Sequence, residues 1–165
     1  LKVYARHYKT GEPIPQELID KLQKSSHFNQ GFATTEFMAA ALLDMAYHTV
    51  KTTEPIHVEK FEKETLDKLG LIPEITVRYR STYFSHIFDS GYSAGYYAYT
   101  WAEVLDADAF QAFKETGDIF NPEKALAFRQ YVLAKGGSDD AMKLYREFRG
   151  KDPSIEPLLK RRGLN

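Results

Sequence analysis

The segment FSHIFDSGYSAGYYAYTWAEV, residues 84–104, concentrates the side chains best suited to chemistry. At 100° per residue, Tyr92, Tyr96 and Tyr99 fall within about 60° of one another on a helix, and Tyr97 lies off that face. His86 stands just upstream, across the flexible Asp89-Ser90-Gly91 stretch. A phenol of pKa about 10 is neutral at pH 7 and donates a hydrogen bond, which suits a carbonyl oxygen gaining negative charge. The same stripe also fits a buried core in which each hydroxyl finds a backbone carbonyl. From pattern alone that packing reading is the stronger. Ala94, Ala98 and Ala102 form a second stripe, small enough for a neighbouring helix to approach closely.

Other constellations carry less. GYSAG, residues 91–95, matches the G-x-S-x-G nucleophile elbow, which needs a strand before it and a histidine later in the chain. No histidine follows His86 and no run of strands is legible, so Ser93 is not read as a nucleophile. The five histidines (His7, His27, His48, His57 and His86) show neither H-x-x-x-H nor H-E-x-x-H spacing, so no zinc site is complete within the chain. Asp44 and His48 lie one helical turn apart, a spacing that could orient a ligand but reads more readily as a surface ion pair. Arg78 and Arg80 have two readings, gripping a carboxylate or supporting a turn. Seven Lys and Arg against three acids in the last 23 residues read as a solvated helix face, with no nucleic-acid-binding motif beside them.

The elements that must position these residues are helical. LKVYARHY reads as the last turns of a helix, cationic at Lys2, Arg6 and His7 and stopped at Thr10-Gly11. Without a capping residue at its start, that segment suggests a piece of a longer chain. Pro15 opens the next helix, and Thr34 or Thr35 is expected to cap a long one, TTEFMAAALLDMAYHT, apolar around most of its circumference. HVEKFEKETLDKLG is amphipathic and closed by Gly70. Residues 71–88 read as an extended loop or short strand leading into a helical turn. Residues 91–117 are expected to form a long helix. Asn121-Pro122, Ser138-Asp139-Asp140 and Asp152-Pro153 are expected to cap the last three helices.

Composition narrows the function. The 165 residues amount to one domain with a real core, and 22 Lys and Arg against 23 Asp and Glu give no global attraction to nucleic acid or anionic membrane. The absence of cysteine removes disulfides, cysteine-based zinc sites and thiol nucleophiles together. No apolar run approaches the roughly 20 residues of a membrane span. The remaining oddity is an excess of tyrosine, 11 residues.

FSHIFDSGYSAGYYAY resembles the signature near the C-terminal end of the thimet oligopeptidase family of zinc metallopeptidases, which includes oligopeptidase A. YARHYKTG, FNQGF, ALLDM, RYRSTYF and the ending LLKRRGLN extend the likeness, in order, across essentially all 165 residues, and point to the peptidyl-dipeptidase branch. The resemblance implies an all-α fold, with residues 1–165 a single helical unit forming the C-terminal part of a larger, mostly helical catalytic domain. It implies hydrolysis of oligopeptides, with release of C-terminal dipeptides. His86, Tyr92 and Tyr99 take catalytic roles toward the developing oxyanion, while Tyr96 and Arg80 bind substrate. The family's zinc, held by H-E-x-x-H and a later Glu, has its ligands upstream of Leu1, so none of the metal ligands is expected here and the chain alone is expected to be inactive. Asp89-Ser90-Gly91 departs from the glycine-rich stretch usual in the family. The implied partners are oligopeptide substrates and the N-terminal remainder of the same protein, without nucleic acid or membrane, in the cytoplasm. Two rivals stand beside this reading: an oligopeptidase A-like endopeptidase, and a standalone helical module that binds peptides without cleaving them.

Overall fold

Residues 1–164 are described by a computed structural model. Among them are eight α-helices: α1 (Gln16–Ser25), α2 (Gln30–His48), α3 (Val58–Lys68), α4 (Ser85–Phe88), α5 (Ala98–Glu115), α6 (Pro122–Phe128), α7 (Ala141–Arg149) and α8 (Glu156–Arg162). A 3-10 turn at Ser81–Tyr83 precedes α4, and a π-helical turn at Arg129–Leu133 continues α6. No β-strand occurs among the described residues, so the all-α expectation holds. None of the helices is long and apolar enough to cross a membrane.

Local capping chemistry explains several boundaries. Asn121 Oδ1 accepts the Lys124 N–H at 2.9 Å with Pro122 in the first turn, and Asp140 Oδ1 accepts the Lys143 N–H at 2.8 Å. Each satisfies a donor that the first helical turn would otherwise leave unpaired. Gly150 ends α7 in the left-handed conformation at φ 81°.

Four expectations are corrected, three of them because a distant partner takes the group in question. Residues 1–14 are not the end of a helix. A single turn (Ala5 N–H to Leu1 O, 2.8 Å) leads into a reversal closed by an isolated antiparallel bridge between Arg6 and Pro13. Gly11, at φ 73°, serves the tip of that reversal; a helix stop and a loop tip ask for the same residue. α2 starts at Gln30, ahead of Thr34, because Asn29 turns the chain at φ 55°, while the Thr34 hydroxyl accepts from Arg162 of α8 at 3.2 Å. α8 starts at Glu156, not Pro153, since the Asp152 carboxylate is drawn to Arg146 at 2.5 Å. α5 starts at Ala98, and residues 91–97 form consecutive turns whose cause lies in the site described below.

The core has two main centres joined by α5. One gathers Ala40, Ala41, Phe84, Ile87 and Tyr96, with Phe37, Tyr47 and Tyr79 packed around them. The other gathers Ala109, Ala112, Tyr145 and Phe148 between α5, α6 and α7. Val104, Ala107 and Leu158 seal α8 onto α5. Beside the second centre Asp108 is 1 % exposed and accepts from Tyr145 Oη (2.6 Å) and Arg149 Nε (3.0 Å). The other face of the Arg149 guanidinium meets Glu115 in two bonds of 2.7 and 2.8 Å. That guanidinium holds Glu115 below the usual carboxylate range, while burial and then Asp108 push the Tyr145 phenol up.

Arg149→Met removes the cation that compensates a buried carboxylate. Breaking such a pair from one side costs about 3–5 kcal/mol, so the urea midpoint is expected to fall accordingly, and an unchanged midpoint refutes the role of this hub. The Glu115 contribution is present above the ordinary glutamate range and is lost as pH falls through its depressed value, so the difference between wild type and variant narrows on acidification.

Candidate active site

The residues singled out by sequence converge, although not by helical period. His86 lies on the single turn of α4, Tyr92 and Tyr96 on the turns that follow, and Tyr99 in the first turn of α5. The Tyr92 and Tyr99 rings stack at 4.9 Å, and the His86 ring lies 6.1 Å from Tyr92 and 6.5 Å from Tyr99. Tyr79 flanks His86 on another side at 4.8 Å.

Asp44 makes this arrangement. It is fully buried in α2, and its two carboxylate oxygens accept the Ala94 and Tyr96 N–H groups, each at 2.9 Å. Those bonds hold Ala94 at φ 53°, a region that alanine seldom occupies, and prevent α5 from extending back to Gly91. His48 Nδ1 lies 2.8 Å from Asp44 Oδ1 and 2.9 Å from the Asp44 carbonyl. Both neighbours are acceptors, so Nδ1 carries the hydrogen. The expected surface pair of Asp44 and His48 is therefore corrected to a buried carboxylate backed by an imidazole. The missed signal was an acid within the apolar run AALLDMAY: on a helix buried nearly all round, a carboxylate has to find donors.

The surrounding hydroxyls sort by burial. Tyr96 is 2 % exposed, stacked on Phe37 at 5.1 Å and set edge-on to Phe84 at 4.9 Å. Of the expected substrate-binding residues, it thus occupies a packing position behind the site. Tyr92 and Tyr99 are each 37 % exposed and form the open face. The Tyr92 phenol, followed by partial desolvation, pushes the Tyr99 hydroxyl up to about 12, so it stays protonated well beyond neutral pH. Burial raises Tyr96 against the opposing pull of Arg78. Ser93, the serine of the GYSAG decoy, donates its hydroxyl to the Ile87 carbonyl at 2.5 Å and so serves the turn. One buried polar atom of the site lacks a partner: His86 Nδ1.

The two arginines take different parts. Arg80, expected to bind substrate, directs Nε to Glu62 of α3, whose carboxylate also accepts the Ser81 N–H and hydroxyl at 2.7 Å each. Arg80 therefore fastens the loop to α3, which is the turn-supporting alternative. The Arg78 guanidinium lies over the Tyr79 ring, 5.6 Å from its centre. No group of three or more His, Cys, Asp or Glu side chains among the described residues could hold a metal ion.

This geometry, a neutral phenol pair beside an unpartnered imidazole on a rigid turn, accompanies a family match. The model of peptidase family M3 matches residues 1–164, and the chain belongs to that family. It is 46% identical over 164 residues to dipeptidyl carboxypeptidase of Escherichia coli (strain K12), a match covering 98% of this chain and 24% of the relative. It is 40% identical over 164 residues to the organellar oligopeptidase A (chloroplastic/mitochondrial) of Arabidopsis thaliana, covering 97% and 21%. Identity to oligopeptidase A of Haemophilus influenzae is 36% over 159 residues, covering 96% and 23%. The chain spans about a quarter of the length of these curated relatives.

Asp44→Ala leaves the buried Tyr96 N–H without its acceptor, at about 1–3 kcal/mol, and frees the part-buried Ala94 N–H. The urea midpoint should drop by an amount in that range and the near-UV tyrosine circular dichroism should weaken. Asp44→Asn, which keeps one acceptor oxygen, should lie between the two; equal midpoints for all three proteins refute the anchoring role.

Proposed function

We propose that this chain forms one wall of the substrate cleft in a zinc metallopeptidase that hydrolyses oligopeptides, releasing C-terminal dipeptides. The observation that carries the reading is the unpartnered His86 Nδ1 beside the half-exposed, stacked Tyr92 and Tyr99. Membership of peptidase family M3 and the dipeptidyl carboxypeptidase relative support it. The described residues offer no ligand set for the zinc that the resemblance implies, so those ligands are assigned to the N-terminal remainder of the protein. What this chain contributes is hydrogen-bond donation. Tyr99, a phenol neutral at pH 7, and His86 donate to the scissile carbonyl oxygen as it gains charge, and Tyr92 orients Tyr99 by stacking. Tyr96 supports both from behind.

The remainder of the protein has surface to cover. Tyr4, Tyr8, Phe28 and Phe120, each more than three-quarters exposed, are the rings it would cover. The cytoplasmic location read from the sequence remains part of this proposal.

In the full-length peptidase, Tyr99→Phe is expected to lower kcat with KM nearly unchanged. An oxyanion donor is worth about 3 kcal/mol, or 10²–10³ in rate, and an unchanged kcat assigns Tyr99 to packing. The 165-residue chain alone should show no chelator-sensitive peptidase activity. Such activity overturns the assignment of the zinc ligands to a remainder.

A further inference from the structure

Five polar or charged residues are buried among the described residues: Asp44, Glu62, Ser81, Asp108 and Arg149. Asp108 and Arg149 serve the second core centre, and Asp44 fixes the turn before α5. Glu62 and Ser81 remain, and they meet each other. Glu62 is 4 % exposed on α3, and one of its carboxylate oxygens accepts both the N–H and the hydroxyl of Ser81, at 2.7 Å each. Its other oxygen accepts Nε of Arg80. A carboxylate withdrawn from water is costly unless its oxygens find donors, so these three bonds hold Ser81 firmly against α3.

Ser81 opens the 3-10 turn that runs into α4 and His86, and from there the chain has little freedom. The Tyr83 N–H bonds the Arg80 carbonyl at 3.0 Å, and Phe84 and Ile87 are sealed in the core. The His86 carbonyl accepts the Tyr92 N–H at 3.2 Å and the Ser90 hydroxyl at 2.6 Å. At the far end of α4, Tyr47 of α2 packs on Phe88 at 5.3 Å and on Phe61 of α3 at 4.5 Å. The His86 ring needs such restraint. Its Nδ1 is buried without a hydrogen-bond partner, which costs free energy that a shift of α4 admitting water would recover. A ring kept in that state is held there by its surroundings, and Glu62 is the buried group that fastens the segment on the upstream side of His86.

We propose that Glu62 is a positioning residue for His86: through Ser81 it fixes the turn that leads into α4, and thereby the placement of the imidazole in the reaction. This rests on the peptidase reading above and extends it to a residue of α3 whose side-chain bonds all go to Arg80 and Ser81.

The test is a double-mutant cycle read by steady-state kinetics of the full-length protein. Glu62→Ala should lower kcat by roughly tenfold to a hundredfold, the scale on which a misplaced group costs rate, with KM nearly unchanged. Introduced into a protein that already carries His86→Ala, it should lower kcat no further, because the group it positions is gone. Glu62→Gln, which keeps an acceptor oxygen for Ser81, should recover part of the rate. Ser81→Ala removes only the hydroxyl and should give a smaller loss that His86→Ala also cancels; it carries the test if Glu62→Ala does not fold. Equal fold-losses with and without His86 make Glu62 a general support of the fold and overturn the proposal, while the peptidase reading stands. An unchanged kcat in Glu62→Ala has the same consequence. A full-length protein that cleaves no oligopeptide removes the peptidase reading, and this role with it.

Discussion

The contact on which the site depends is the buried carboxylate of Asp44 with the N–H groups of Ala94 and Tyr96. A carboxylate withdrawn from water is costly unless its oxygens find donors, and two backbone N–H groups plus an imidazole supply them. The exchange is reciprocal. The turn at residues 91–97 has polar groups that no regular helix satisfies, and it lies against the apolar face of α2. With Asp44 in place the turn has one low-energy shape, and the open face formed by Tyr92 and Tyr99 follows from it. Its left-handed Ala94 is the local strain that the two hydrogen bonds offset.

Helix α5 carries this order through the molecule. Its first turn presents Tyr99, its middle packs on α8 through Val104 and Ala107, and its later turns are fixed by Asp108 and Glu115 to Arg149. Arg162 of α8 bonds both Thr34 of α2 and Glu103 of α5, joining the helix that holds Asp44 to the helix that holds Tyr99. Buried charge therefore appears at both ends of one strut, and each charge is satisfied by residues distant in sequence. Such networks favour a single arrangement of helices over near alternatives.

Legibility in the sequence follows the same division. Where a helix end is decided by its own neighbours, the sequence reads correctly, as at Asn121 and Asp140, whose side chains accept N–H groups three residues on. Where a distant partner claims the signalling group, local reading fails. Thr34 is taken by Arg162, Asp152 by Arg146, and the turn before α5 by Asp44. The tyrosines were found for a reason that is only partly true. Periodicity brought together residues that the structure brings together by a turn, and their shared segment mattered more than the helical angle. Asp44 escaped notice because its i to i+4 relation to His48 has a commonplace surface meaning, and only burial distinguishes the two.

Burial also divides the tyrosines by task. Tyr96, sealed among Phe37, Phe84 and Tyr79, contributes shape. Tyr92 and Tyr99 stack, and each phenol carries a single hydrogen. When one hydroxyl donates to the other, the pair retains one outward donor. The neighbouring Tyr92 phenol pushes Tyr99 up to about 12, further above neutrality than an ordinary phenol, which is itself protonated there. His86, whose buried Nδ1 has no hydrogen-bond partner, lies 6.1 Å from Tyr92 and 6.5 Å from Tyr99 by ring centres, and the Asp44 carboxylate fixes the turn that runs from Tyr92 into Tyr99.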